Sequence, residues 1–280
     1  MKFTISIPSD FSFLETVSAH GWRRLLPFVW DEDTQTLVRT EDIGGGQVAV
    51  LTIGAGQDGV SITTDIDCDQ TELTHHVRRM LQIDLPLTEF HAYCQTIPEI
   101  AHLVECKRGR MLRSPTLFED TVKVIATSNT TWAQTIQMTA RIVAEFGPAG
   151  RTFPSAAQIA DVPFDEFAFK ARMGYRNAYV YAIATAITAG TLDLEAWQSE
   201  PMTALELRKR LLSLPGIGPY GAACLMLYLG KPEHVNADSV ARTLLAGELG
   251  RPVTDKEVLA FFEVHGEWRG LIYNFYPWKQ

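Results

Sequence analysis

The sequence predicts an α+β chain, a small antiparallel sheet in front of a mostly helical, two-lobed body. Three observations carry that expectation. Alternating β-branched runs end by residue 66, helical periodicity takes over beyond about residue 95, and one glycine-proline break interrupts a strong helical run near residue 216. The implied division is a sheet domain over residues 1–95 and a helical body over 96–280, with a helix–hairpin–helix unit at about 205–230.

At the front, "TQTLVRTE", "QVAVLTIG" and "VSITTDI" read as strands. The Asp-Gly of "AGQDG" supplies a hairpin turn between the last two. Asp69 with Glu72 opens a helix through "LTHHVRRMLQI"; its adjacent histidines His75 and His76 face different sides, so they form no metal pair. Ser114 and Pro115 read as the start of the helix "SPTLFEDTVKVIATSN". The next helix stops at Gly147-Pro148. Further helical periods follow in "YVYAIATAITAG", "ALELRKRLLS", "SVARTLLAGELG" and "KEVLAFFEVHG".

Composition narrows the class. Hydrophobic residues make up 46% and charged residues 21%, as in an ordinary globular protein, and no apolar run reaches membrane-span length. The N-terminus lacks the pattern of a signal peptide, so a cytoplasmic location is expected. The four cysteines show neither CxxC nor metal-ligand spacing, so no metal is expected. Net charge is −8, but residues 1–100 hold 6 basic and 15 acidic groups, leaving the remainder at +1 and free to present basic faces. The cluster "KRGRMLR", Lys107 to Arg113, reads as a solvated turn.

"LPGIGPYGAACLMLYLG" holds the main functional signal. Glycines without Cβ permit positive φ and close approach of another backbone, and Pro219 suits the first turn of the following helix. The turn is either a plain connector or a cradle of backbone N–H groups, which binds phosphate and reads no base. Asp238, 22 residues past Gly216, opens the next helix. It is either an ordinary N-cap or a carboxylate held beside a bound backbone to do chemistry.

These residues resemble the helix-hairpin-helix DNA glycosylases, across nearly the whole chain. Pro-Gly-Ile-Gly followed by a Val-x-x-Asp loop is similar to that superfamily's hairpin and catalytic aspartate. "ATSNTTWAQTIQM" resembles its segment near the base opposite a lesion, and "MGYRNAYVYAIATAI" resembles the Gly-Tyr-Arg loop of the oxoguanine branch. "SAHGWRRLLPFVWD" resembles the front domain of 3-methyladenine DNA glycosylase II. The resemblance implies Asp238 as catalytic residue. Gly216, Ile217, Gly218 and Gly221 would grip the DNA backbone. Asn129, Tyr175 and Arg176 would fill the gap left by the flipped nucleotide, Tyr175 as wedge and Arg176 reaching the orphaned base. Tyr220, Trp268 and Tyr273 would line the base pocket.

Bifunctional relatives carry a lysine nucleophile where this chain has Tyr220, so a monofunctional enzyme without lyase activity is implied. An aromatic there suits a cationic N-alkylated purine. Cys224 and the Gly-Tyr-Arg loop favour the oxoguanine branch instead, whereas Val240 stands where that branch has histidine. The expected partner is double-stranded DNA with a damaged base, with no membrane and no obligate protein partner. No cofactor is expected, beyond a monovalent cation that the hairpin carbonyls could hold. The alternatives are an oxoguanine-directed glycosylase of the same fold and a non-catalytic helix-hairpin-helix DNA-binding protein.

Overall fold

A computed structural model describes residues 1–235 and 237–278. Five antiparallel strands form the sheet: β1 (Lys2–Ile5), β2 (Phe28–Asp31), β3 (Thr36–Asp42), β4 (Val48–Gly56) and β5 (Gly59–Thr64), in the order β1-β5-β4-β3-β2. The predicted hairpin is present, with Gly56 opposite Gly59. On β4 every second residue, Ala49, Leu51 and Ile53, is fully buried, which is the half-covered pattern that alternation predicts. Strands β1 and β2 were not apparent in the sequence. Each is four residues long, too short for alternation to register.

The helices are α1 (Phe13–Ser18), α2 (Gln70–Met80), α3 (Thr88–Gln95), α4 (His102–Glu105), α5 (Leu117–Thr127), α6 (Trp132–Phe146), α7 (Ala156–Ala160), α8 (Phe164–Ala171), α9 (Arg176–Thr188), α10 (Ala204–Leu212), α11 (Pro219–Tyr228), α12 (Ser239–Leu249), α13 (Asp255–Glu263) and α14 (Arg269–Phe275). Asp69 caps α2 through the N–H of Thr71 at 2.7 Å and of Glu72 at 3.3 Å, as the sequence predicts. Among the described residues, no helix is long and apolar enough to cross a membrane.

The central helix α5 is buried from Leu117 to Ala126 and packs against α6, α9 and α11. It starts later than Ser114-Pro115 suggests. Thr116 is the N-cap, accepting from the Glu119 N–H at 3.2 Å. Ser114 is buried instead, its N–H donating to Asp120 Oδ1 at 2.8 Å and its hydroxyl accepting from Lys123 at 3.3 Å.

That serine belongs to a buried ionic network joining sheet to helix. Arg39 on β3 pairs with Glu41 at 2.8 Å and with Glu119 on α5 at 2.7 Å, and Lys123 reaches Glu119 at 2.6 Å. Burial alone would raise the Glu119 carboxyl, yet Arg39 and Lys123 hold it down at about 2. Beside it, burial raises the Asp120 carboxyl.

The run Lys107 to Arg113 is not the solvated turn its charge suggests. Arg110 and Arg113 are buried. Arg110 donates to the carbonyls of Gln82, Leu85 and Asp10, and Arg113 pairs with Asp120 at 3.2 Å. These guanidiniums satisfy carbonyls that the fold would otherwise bury unpaired, so the charge serves the interior.

Candidate active site

The hairpin lies between α10 and α11. Gly216 adopts φ +79°, and a Cβ there would fall 2.5 Å from the Tyr179 ring, so only glycine fits the turn. Gly218 is the N-cap of α11 with no side-chain cap, and a Cβ on it would meet nothing within 4 Å. Helix geometry leaves the N–H groups of Gly218, Tyr220 and Gly221 without an intrahelical acceptor, and Pro219 has none to offer. Of the other two predicted backbone contacts, Ile217 is interior, and Gly221 faces the interior with its Cα while its N–H stays at the helix start. Ile217 is buried and its N–H donates to the Leu214 carbonyl at 3.2 Å. The missing side chain of Gly221 lets α11 approach α5, since a Cβ would sit 3.1 Å from Val124.

Asp238 caps α12, its Oδ1 accepting the Ala241 N–H at 2.8 Å. That bond aims the carboxylate. With the open Gly218 it borders a cavity of about 880 Å³, roughly the size of a small-molecule pocket. Tyr220 and Tyr273 wall the same cavity. The neighbouring Cys224 and burial push the Tyr220 phenol far above its ordinary range, while its hydrogen bond with Thr127 acts the other way. Burial, then the charge of Asp238, does the same to Tyr273. Both phenols therefore stay protonated.

Trp268 does not join them. Its ring packs on Phe90 at 5.6 Å, outside the cavity lining, as aromatics at helical spacing usually do. Asn129 does border the cavity, exposed and held at φ +48°. Tyr175 is 55% exposed outside the lining. Arg176 is buried and cannot reach outward from this position. It donates to the carbonyls of Ser128 and Asn129, the latter at 3.1 Å, and its guanidinium lies 4.5 Å from the Tyr175 ring centroid. Its place is behind the turn, holding Asn129 forward.

The opposite wall was missed in the sequence. His20 and Trp22, on the turn after α1, stack with Tyr228 of α11: ring centroids are 5.5 Å apart for His20–Tyr228 and 5.3 Å for Trp22–Tyr228. A Cβ on Gly21 between them would fall 2.4 Å from Trp132, which also lines the cavity. His20 Nε2 contacts the Leu112 carbonyl at 2.6 Å, so it carries the proton, and Nδ1 accepts the Trp22 N–H at 3.2 Å. Burial lowers the imidazole to about 4, leaving it neutral at pH 7. Trp22 donates its indole N–H to Asp120 Oδ1 at 3.2 Å. The segment "SAHGWRRLL" carried one usable signal, an aromatic pair around a glycine, but no periodicity to place it.

The charged residues of the lining are Asp238 and Arg242, and Arg242 is ion-paired with Asp255. No lysine lines the cavity, and no three His, Cys, Asp or Glu side chains group to hold a metal, among the described residues.

A glycine hairpin, a capping aspartate past it and an aromatic cavity between helical lobes, fronted by an antiparallel sheet, define a class: the chain has the fold of the helix-hairpin-helix DNA glycosylases. Comparison with known proteins agrees. The 3-methyladenine DNA glycosylase of Archaeoglobus fulgidus superposes with a TM-score of 0.72 at 16% identity, over 99% of this chain and 97% of that one. The 8-oxoguanine glycosylase/lyase of Clostridium acetobutylicum gives 0.71 at 18% identity, over 99% and 98%. In sequence, the chain is 27% identical over 226 residues to the probable bifunctional transcriptional activator/DNA repair enzyme AlkA of Mycobacterium tuberculosis, covering 75% of this chain. It spans 41% of the length of that relative. No family model matches the chain.

Proposed function

We propose that this protein is a monofunctional DNA glycosylase that everts a damaged purine, most readily an alkylated one, and hydrolyses its N-glycosidic bond to leave an abasic site. The observation that carries this reading is the position of Asp238, a helix-capping carboxylate at the rim of an aromatic cavity beside the open Gly218 edge of the hairpin.

In the mechanism, the N–H groups at the start of α11 take a phosphate oxygen of the damaged strand. The nucleotide turns into the cavity at a cost of a few kcal/mol, lower for a weakly stacked lesion. As the C1′–N bond lengthens, positive charge builds on the sugar, and the Asp238 carboxylate stabilises it and directs water to C1′. The electron pair of the broken bond leaves with the base. An alkylated purine is already cationic, so it departs neutral without a proton donor. Aromatic faces attract such a cation, and neutral His20 does not repel it. Tyr220, where a lyase would carry its amine, cannot form a Schiff base.

An oxoguanine substrate is the second reading, favoured by Cys224 on the cavity wall. The two part on a panel of duplexes carrying alkylated, oxidised or deaminated bases, scored for abasic sites with and without alkali. Alkylated duplexes are expected to break only after alkali. Asp238→Asn, which keeps the cap, is expected to lower release about 10²–10³-fold, on the scale of a lost electrostatic contact, while duplex binding persists. Release by the Asn variant at the parental rate would overturn the assignment of the chemistry to Asp238, and duplex binding without release of any base by the parent would reduce the chain to a DNA-binding module.

A further inference from the structure

The cavity has two ends. Tyr220 and Tyr228 lie at opposite ends of α11, about 12 Å apart along its axis, and His20 and Trp22 pack on the Tyr228 end, while the charge of Asp238 is felt at Tyr220 and Tyr273. A purine whose anomeric carbon lies at Asp238 therefore points its six-membered ring toward Tyr228.

Tyr228 is only 5% exposed and clamped from every side. His20 and Trp22 hold its ring, and its carbonyl accepts from Arg113 at 2.9 Å and Gln82 at 3.0 Å. The polar atoms around it are already engaged: both His20 nitrogens, the Trp22 indole N–H and all that Arg113 offers to Asp120, Gln198 and Tyr228. The Tyr228 hydroxyl, in contrast, makes no hydrogen bond among the described residues. A phenol on the cavity wall with no partner in the protein can donate to a group that enters the cavity, which phenylalanine in the same place could not do.

We propose that the Tyr228 hydroxyl reads the far edge of the everted base, donating a hydrogen bond to a ring carbonyl such as the 6-oxo group of an N-alkylated guanine. This rests on the glycosylase reading above. Tyr228 is then a specificity-determining residue distinct from the chemistry at Asp238.

The test is competitive. A methylated duplex offers 7-methylguanine, with a carbonyl at C6, and 3-methyladenine, with an amino group there; chromatography of the released bases gives their ratio in one reaction. For Tyr228→Phe the ratio of 7-methylguanine to 3-methyladenine is expected to fall about tenfold, the scale of one neutral hydrogen bond, with the thermal midpoint unchanged or raised. A ratio equal to the parent's, whatever the absolute rates, overturns the proposal while the glycosylase reading stands. A lowered midpoint with both bases slowed equally assigns Tyr228 a structural role and also overturns it. Release of neither base by the parent chain sinks the glycosylase reading, and this proposal with it.

Discussion

Asp238 and Tyr228 border one cavity, yet the chain builds their surroundings by opposite routes. Asp238 is set by local rules: a glycine turn, a ten-residue helix and a cap bond to Ala241, all within residues 214–241. The Tyr228 wall is set by distant partners. His20 is fixed by Leu112, 92 residues away, and Trp22 by Asp120, 98 residues away. The Tyr228 carbonyl is held by Arg113, 115 residues away. The chemical end of the site is thus local and portable, while the base-facing end exists only once sheet and helices have docked.

That difference explains what could be read in advance. The hairpin and Asp238 announce themselves through glycine, proline and cap patterns with known backbone consequences, whereas Tyr220 and Tyr273 came only with the family resemblance. Trp268 failed because helical spacing does not say which neighbour a ring meets. Arg176 failed because an arginine in a loop motif looks the same whether it turns outward or satisfies carbonyls behind the loop. The run Lys107 to Arg113 misled for the same reason: charge in a sequence suggests water, but Arg110 and Arg113 serve buried carbonyls and Asp120. His20 and Trp22 had only an aromatic pair around a glycine to mark them, and nothing local to say which wall it joins.

The contrast is open to tests of decreasing size. The base-facing wall depends on α5 docking through its ionic network, so removing one partner should be costly. Lys123→Met leaves Glu119 buried with Arg39 as its remaining cation, and a loss of about 3–5 kcal/mol is expected from denaturant unfolding. A loss under about 1 kcal/mol would show that the network contributes little to the docking.

A smaller effect, about 3 kcal/mol, belongs to His20. Its folded pKa of about 4 lies below the unfolded value of 6.5. Between these values the unfolded chain binds a proton that the folded chain refuses, so stability is complete above pH 6.5 and falls as pH drops toward 4. In His20→Asn this contribution should vanish. The parent is expected to lose about 3 kcal/mol more than the variant between pH 6.5 and pH 4. Parallel pH profiles would place the imidazole in contact with water. The smallest effect is at Trp268, whose replacement by Phe is expected to leave base excision unchanged, because its ring meets Phe90 and not the cavity.

The central claim is that Asp238 stabilises positive charge on the sugar of an everted nucleotide. The direct measurement is equilibrium binding of two duplexes that differ at one site, a cationic pyrrolidine abasic analogue in one and neutral tetrahydrofuran in the other. A carboxylate built for the charged transition state should favour the cation at least about tenfold, and Asp238→Asn should erase that preference while the tetrahydrofuran duplex binds as before. Equal affinity of the parent for both duplexes, or a preference that survives in Asp238→Asn, would contradict the account.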